Sequence, residues 1–492
     1  MAAPRIGRAL AAVRGGPLLQ PVLTLVGGTA VAQAVTFAAR PALTRLFTPE
    51  AFGVLTVVTT VLAVASTVAS GGYRSAVLLP RTVADQANVL ALALSCTLAA
   101  TALAAAGVWA APRLGLASGA AALALAWLPP ALLFAEAAGV AEAWHAGRDR
   151  FRAVSWSRVA QSVAVAGVQL TVGVTVARAS DGATVGLVAG VAAGFAAGAL
   201  VAWTWLWVAD GRAVSAAVSP RSVTALARRY VRFPAYAAPA SLLNVLATRV
   251  PVFALVAFYG EAVVGQFGIA FGTLALPLGL VTGSVGQAFM ARAAEARWTD
   301  GLAALTRSAA RGLWAVGAYP CLVVLAAGPT LFAFVFGAEW AEAGRYAQRI
   351  APWVLLASVA PPLTAVFDVL ERQRDELAVS ALMFVVQTLV LVAAGRLLPP
   401  VDAVLAAGVA GFALRAVHLG WILRVADVPF AAALRDAAGA IGRAVPFVLA
   451  VAAADALGAS GAVVFGVAVA AGIGALGWEG ARSRADRTGG SA

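Results

Sequence analysis

The sequence has no lysine, only two cysteines, two histidines and three methionines, and few charged residues of any kind. Charged residues fill 12% of its 492 positions, whereas apolar residues fill 62%. A water-soluble domain carries about 25% charged and about 45–50% apolar residues. The chain therefore lacks the polar residues needed to cover a surface in water, and its composition predicts a membrane protein.

The rare residues also argue against an enzyme. Cys96 and Cys321 lie inside apolar segments, which predicts small hydrophobic roles for them. His145 and His418 fit no metal-binding or catalytic pattern, and no Walker A motif is present. The formal G-x-G-x-x-G motif at 472–477 follows no strand and lies inside a membrane-length apolar segment, so it does not indicate dinucleotide binding. We expect no enzymatic activity, no cofactor and no metal.

Apolar segments long enough to cross a bilayer recur along the whole chain. A helix needs about 20 apolar residues to cross the hydrocarbon, and the last two candidates are separated only by 455–460. We therefore predict twelve to fourteen transmembrane helices. The predicted centres are Ala30, Val61, Leu98, Leu125, Ala166, Phe195, Leu246, Ala275, Val323, Ser358, Val386, Val409, Ala450 and Ala468.

The arginines predict the orientation of these helices. Three of them precede the first apolar segment, which is too long for a signal peptide and indicates an uncleaved helix. The others concentrate in the loops that follow even-numbered segments, and cytoplasmic loops accumulate basic residues. We therefore expect both termini in the cytoplasm, which requires an even number of spans.

Two short connections predict an internal repeat. LFTPEAFGVLTVV (46–58) follows the first helix and AFYGEAVVGQFGIA (257–270) follows the seventh. In each, a helix breaker precedes a Glu that suits a helix N-terminus, and a Gly opens the next apolar helix. The predicted turn and cap residues are Pro49, Glu50, Gly53, Gly260 and Glu261. Because six helices return the chain to the same side, two six-helix lobes would be parallel repeats.

This repeat divides the chain into five predicted parts. Residues 1–210 form an N-terminal lobe of helices 1–6, and residues 211–232 form a cytoplasmic amphipathic linker. Residues 233–430 form a C-terminal lobe of helices 7–12. Residues 431–480 add helices 13 and 14, and residues 481–492 form a cytoplasmic tail. The predicted fold class is all-α, a polytopic membrane protein with two six-helix lobes.

Several segments resemble one transporter family. They are TRLFTPEAFG (44–53), GGYRSAVLLPRTVADQANVLALAL (71–94), RRYVRFPAYAAPASLLN (228–244), FVFGAEWAEAGRYAQRIAPWVLL (334–356) and VLERQRDEL (369–377). They are similar to Wzx-type oligosaccharide (lipopolysaccharide O-antigen) flippases, in the polysaccharide transporter family of the multidrug/oligosaccharidyl-lipid/polysaccharide exporter superfamily. The resemblance implies two MATE-like lobes around a central cavity, in a multi-pass protein of the bacterial inner membrane. It also implies flipping of undecaprenyl-diphosphate-linked oligosaccharide to the outer leaflet, alongside polysaccharide polymerase and chain-length proteins.

Charged residues inside the predicted spans are the candidate site residues. A charge at mid-bilayer costs about 2.5–3.5 kcal/mol on insertion scales, so it usually faces a cavity or a partner. Five arginines are predicted to bind the diphosphate and glycan, because guanidinium suits phosphate: Arg40, Arg45, Arg249, Arg415 and Arg158. Alternatively, Arg40 and Arg45 reach the headgroups, and Arg415 pairs with a neighbouring helix.

Acidic residues leave further alternatives open. Asp368 and Glu136 are candidate sites for a coupling H⁺ or Na⁺, or counter-ions for a nearby arginine. We expect alternating access without ATP. A cation-coupled multidrug exporter of the same superfamily would need an acidic cavity, and a non-transporting scaffold for envelope assembly would need no cavity arginines.

Overall fold

The computed structural model describes residues 19–80, 82–115, 119–296, 301–370 and 372–488, and every regular element within them is a helix. The first half contains α1 Leu19–Leu46, α2 Pro49–Ala69, α3 Tyr73–Ala76, α4 Val83–Ala110, α5 Gly119–Leu125, α6 Leu128–Ala146, α7 Phe151–Thr175, α8 Asp181–Ala217, α9 Pro220–Arg229, the π-helix Phe233–Ala237 and α10 Ala238–Tyr259. The second half contains α11 Glu261–Ala296, α12 Leu302–Phe336, the 3₁₀ helix Ala338–Trp340, α13 Ala341–Val359, the 3₁₀ helix Pro361–Leu363, α14 Ala365–Val369, α15 Gln373–Leu397, α16 Pro400–Val425, α17 Phe430–Ala456 and α18 Gly461–Thr488.

The predicted all-α, polytopic class is confirmed. Each of the fourteen predicted segment centres lies inside a helix. In the described part of the chain, ten helices are long and apolar enough to cross a membrane. The apolar pair 233–243 and 248–259 meets at a 60° bend and forms either an eleventh span or a re-entrant loop. The last predicted segment contains the shorter apolar helix Gly461–Ala475.

The chain separates into two compact units, residues 1–249 and 250–492. The division falls inside α10. The region predicted as a linker, 211–232, contains the end of α8 and the short helix α9. Leu226 of α9 is buried, whereas Arg228 and Arg229 in its last turn are exposed.

In the N-terminal unit, α8 packs closely against α7 through glycines spaced four residues apart. A Cβ added at Gly194 would lie 2.9 Å from the Gln161 carbonyl oxygen, and one at Gly198 would lie 3.2 Å from the Ser157 carbonyl oxygen. Small residues at this spacing let helix backbones approach each other. This packing fixes the position of α7, which carries part of the site described below.

The TRLFTPEAFG segment is a tight connection between two helices. Thr48 is the N-cap of α2, and its hydroxyl accepts a hydrogen bond from the Ala51 N–H at 3.3 Å. Pro49 occupies the first helical position, where its missing N–H costs nothing. Glu50 lies exposed in the first turn, where a carboxylate suits the helix dipole, and Gly53 is buried.

The corresponding connection in the C-terminal unit is shorter. Gly260 alone separates α10 from α11, and Glu261 lies in the first turn of α11. Gly260 has φ of +82°, a conformation that residues with a Cβ rarely adopt. A glycine at this position therefore allows the chain to reverse with a one-residue link.

Ion pairs lie at one end of each unit. In the N-terminal unit, Asp210 accepts hydrogen bonds from Arg150 at 2.6 Å and from the Trp144 indole at 2.9 Å. In the C-terminal unit, Asp436 of α17 bonds to Arg307 at 2.6 Å, at the start of α12. α17 and α18, which cover the predicted helices 13 and 14, both pack against α12.

Candidate functional site

A polar stripe runs along α1 in an otherwise apolar helix. Thr29, Gln33, Thr36 and Arg40 follow one another at intervals of four, three and four residues. Residues three or four apart share one face of an α-helix. The sequence therefore places these four side chains on one side of α1.

Three of these side chains border a cavity of about 310 Å³ within the N-terminal unit. The cavity is open on one side and is lined by residues of α1, α6, α7 and α8 together with one arginine from α3. Its size is at the lower end of the range for small-molecule pockets, about 300–1,000 Å³. The lining residues are Thr29, Ala32, Gln33, Thr36, Arg74, Ala135, Ala138, Gly139, Glu142, Arg158, Gln161, Ser162 and Phe195.

Arg158 is held at the wall of the cavity by two other helices. Its Nε and Nη2 each donate to Glu142 Oε2 at 3.3 Å, and its Nη1 donates to Thr29 Oγ1 at 3.1 Å. The second carboxylate oxygen of Glu142 accepts a hydrogen bond from Ser157 at 3.0 Å. The guanidinium thus joins α1, α6 and α7 while 40% of its side chain stays exposed.

Arg74 forms a second, weaker pair on the same cavity. Its Nη1 lies 3.4 Å from Glu136 Oε1, and Glu136 is almost fully buried in α6. A Cβ at Gly139 would lie 2.6 Å from the same Nη1. The absence of a side chain at Gly139 therefore gives the Arg74 guanidinium room to reach Glu136.

Two polar atoms on the α1 face have incomplete hydrogen bonding. Arg40 Nη1 and Gln33 Oε1 are both shielded from solvent, and neither has a hydrogen-bond partner among the described residues. Buried polar atoms in proteins nearly always have a partner, so such atoms are places where a water molecule or a ligand group fits. The stripe therefore offers one donor and one acceptor beyond its internal pairs.

The structure brings some of the sequence-predicted residues together. Arg158 lines the cavity, Glu136 is bonded to a lining residue, and Arg40 lies one turn further along the same face of α1. Arg45 is exposed and its Nη1 donates to the Pro41 carbonyl at 2.9 Å. Arg249 is exposed in α10, just past the 60° bend.

The other two predicted residues lie in the C-terminal unit. Arg415 is half-buried in α16, and its Nη1 lies 3.3 Å from Nδ1 of His418, one turn further along the same helix. Asp368 lies exposed on the short helix α14. Neither residue lines the cavity of the N-terminal unit.

Sequence reasoning missed several residues of the cavity: Arg74, Glu142, Gln33, Gln161 and Ser162. The helical spacing of Thr29, Gln33 and Thr36 was a usable signal for the α1 face. The partnership of Arg158 with Glu142 had no such signal, because the two residues lie on different helices.

The described part of the chain is an all-helical polytopic fold with charged pairs around a cavity, and charges inside membrane segments often mark substrate and ion pathways. A family model described as "Polysaccharide biosynthesis protein" matches residues 42–345. The chain belongs to this family.

Solved structures support the same fold. The lipid II flippase MurJ in an inward closed conformation has a TM-score of 0.70 at 10% identity, over 92% of this chain and 97% of that one. An inward-facing multidrug resistance MATE family transporter of the MOP superfamily has 0.57 at 14%, over 83% and 97%. A MOP superfamily transporter from Pyrococcus furiosus, whose binding pocket is described as having reverse polarity, has 0.57 at 13%, over 84% and 97%. Comparison with curated protein sequences gave no match.

Proposed function

We propose that the protein is a flippase that moves undecaprenyl-diphosphate-linked oligosaccharide from the cytoplasmic to the outer leaflet for surface polysaccharide assembly. Besides the family membership, one observation supports the proposal: arginines, amides and hydroxyls line the cavity in the N-terminal unit. It works by alternating access and hydrolyses no ATP. Its partners are the lipid-linked substrate, membrane lipids and the polymerase and chain-length proteins that use the product.

The wall of the cavity suits both halves of the polar headgroup. Guanidinium groups such as those of Arg74 and Arg158 present a planar fork of donors that matches a diphosphate. Gln33, Gln161 and Ser162 offer donors and acceptors for sugar hydroxyls. Because each unpaired hydroxyl costs about 2–7 kcal/mol to desolvate, a glycan needs such a polar path through the bilayer. In this proposal Arg40, Arg45, Arg249 and Arg415 contact the headgroup at other stages of transit.

The membrane potential supplies a driving force. A diphosphate carries about two negative charges, and each charge moved across 100 mV is worth about 2.3 kcal/mol. Outward movement across an inside-negative membrane therefore releases about 4–5 kcal/mol. This energy favours export without nucleotide hydrolysis.

The proposed orientation has both termini in the cytoplasm of a bacterial cell with the protein in the inner membrane. Single cysteines at the positions of Arg113 and Asp149, in a chain with Cys96 and Cys321 replaced by alanine, test it. Both positions are exposed in the loops that end α4 and α6. An impermeant thiol reagent applied to intact cells should label only the cysteine at 113, and labelling at 149 instead would invert the topology.

A transport assay tests the proposed function. Proteoliposomes would contain a polyprenyl diphosphate with a short fluorescent glycan, and an impermeant quencher would report the leaflet of the label. We expect transport by the wild type and its loss in Arg158→Gln. Arg113→Gln is the control, because Arg113 lies exposed over the Trp109 ring at the end of α4.

The same assay separates the rival functions. Equal transport by the wild type and Arg158→Gln would refute the role of the cavity arginine. No transport by the wild type would favour a scaffold. Two acids, Glu136 and Glu142, belong to the cavity network, so a cation exporter predicts uptake of an organic dye cation instead of the lipid.

A further inference from the structure

A buried histidine joins two opposite charges in the C-terminal unit. His418 of α16 is 1% exposed, and its Nε2 lies 2.9 Å from Glu376 Oε2 in the first turn of α15. On the other side of the ring, Nδ1 lies 3.3 Å from Arg415 Nη1. The Phe367 ring of α14 stacks on the imidazole at 6.2 Å between centroids.

These contacts fit one tautomer of the neutral imidazole. A guanidinium has donors and no acceptor, so Nδ1 must accept from Arg415 through its lone pair. Nε2 then carries the proton and donates it to the Glu376 carboxylate. This tautomer places a neutral imidazole ring between one cation and one anion.

Two charged groups and one aromatic ring contact the imidazole. Glu376 faces His418 from α15, Arg415 from α16 and the Phe367 ring from α14. Three further acids among the described residues are paired elsewhere or exposed: Asp375 pairs with Arg372 at 2.6 Å, Asp436 of α17 with Arg307 and Arg311, and Asp368 is exposed. The core next to His418 on α13 and α16 is apolar, with Leu356, Val359, Leu419 and Ile422.

We propose that Glu376, His418 and Arg415 form a proton-binding site in which protonation of His418 at Nδ1 releases the Arg415 guanidinium. A proton at Nδ1 removes the lone pair that Arg415 uses and places two cations next to each other. The imidazolium keeps its bond to Glu376, so Arg415 is the group that moves.

Protonation of His418 leaves the Arg415 guanidinium with few contacts that hold it in place. Its Nε is buried and has no hydrogen-bond partner among the described residues, so the His418 contact is a large part of what holds the guanidinium in place. A released guanidinium in a membrane helix has to find another anion. Resting on the proposed function, we assign that anion as the diphosphate of the substrate, which makes the site a point of proton coupling.

Nitrogen NMR of the full-length protein in lipid vesicles tests the site without transport. The chain has two histidines, so ¹⁵N-histidine labelling gives two sets of ring signals, and His145→Gln leaves only His418. At pH 8 we expect one protonated and one unprotonated ring nitrogen, with Nε2 protonated. On acidification to pH 4.5 we expect both to be protonated. A ring that stays neutral over this range, or one protonated at Nδ1 at pH 8, would overturn the proposal.

Two variants give shifts of opposite sign. Glu376→Gln removes the anion that stabilises the imidazolium, so the midpoint of His418 protonation falls by about one pH unit or more. Arg415→Gln removes the competing cation, so the midpoint rises by a similar amount. Asp402→Asn is the matched control, since Asp402 is an exposed acid in the first turn of α16, about 24 Å from His418 along the helix. Shifts of the same sign would refute the role of Arg415.

The pH dependence of the flipping rate is a separate test of the coupling. We expect the flipping rate of the wild type to depend on pH between 5 and 8, and this dependence to disappear in His418→Gln. A pH-independent wild type with a titrating His418 would refute the coupling and leave both the proton site and the flippase. No flipping at any pH would refute the proposed function, while the NMR result would still decide the proton site.

Discussion

Glu142→Gln is the sharpest test of how the cavity of the N-terminal unit handles an anion. If Arg158 binds the substrate diphosphate, Glu142 is its internal competitor, because both Arg158 nitrogens that reach it share the single oxygen Oε2 at 3.3 Å. Removing the negative charge of Glu142 should therefore tighten anion binding. Arg158→Gln should weaken it.

The expected size of the effect follows from the geometry of the pair. Both bonds are long, 40% of the Arg158 side chain is exposed, and 18% of the Glu142 side chain is exposed. Exposed ion pairs contribute about 0.2–1 kcal/mol, and polar pairs between membrane helices average about 0.6 kcal/mol with a maximum of about 1.7. We take about 1 kcal/mol for the released competition, which is about a fivefold gain in affinity.

The assay is equilibrium binding of a fluorescent polyprenyl diphosphate to the purified protein, for the wild type, both single variants and the double variant. Asp181→Asn is the control, because Asp181 is an exposed acid in the first turn of α8. We expect the double variant to bind as weakly as Arg158→Gln alone. Weaker binding in Glu142→Gln than in the wild type would refute the competition and assign the pair a structural role.

Three further predictions concern Gly139, Gly344 and the membrane potential. Gly139→Ala should displace the Arg74 guanidinium, whose Nη1 would lie 2.6 Å from the new Cβ, and lower the flipping rate while the thermal unfolding free energy changes by less than about 1 kcal/mol. Gly344→Ala should destabilise the protein by about 1–3 kcal/mol in thermal unfolding, since its Cβ would lie 2.5 Å from the Gly328 carbonyl oxygen, whereas Gly312→Ala meets open space and should be neutral. An inside-negative potential imposed on proteoliposomes should raise the outward flipping rate, and a rate independent of potential would refute the electrical driving force.

The membrane helices were predictable because one physical quantity determines them. Backbone polar groups in hydrocarbon must bond within their own segment, so a sustained apolar segment of membrane length has to be a helix. Every predicted centre from Ala30 to Ala468 accordingly falls in one. The connection at Pro49 was readable for a similar local reason, since proline suits the first position of a helix.

The pairing of charges was not predictable because it depends on which helix faces meet. Arg158 was predicted as a ligand and Glu136 as an ion site or counter-ion, but nothing in the sequence joins Arg158 to Glu142 or Glu376 to His418. The close packing of α8 glycines against α7 decides where Arg158 lies. His418 in particular has no motif around it, and only the packing of α15 against α16 brings an acid to its ring.

These pairs change the physical picture of how an anion enters the cavity. An unpaired arginine at bilayer depth is costly, and so the fold balances Arg74 with Glu136 and Arg158 with Glu142. If the proposed diphosphate substrate binds here, it has to exchange with an internal carboxylate, and the net gain is then the difference between two similar interactions. A small net gain in binding free energy keeps substrate binding weak. Weak binding suits the proposed transport, because the substrate must be released on the other side. Arg40 Nη1 is shielded and has no hydrogen-bond partner among the described residues, so in the proposed function Arg40 is the group we expect to shift this balance toward an anion.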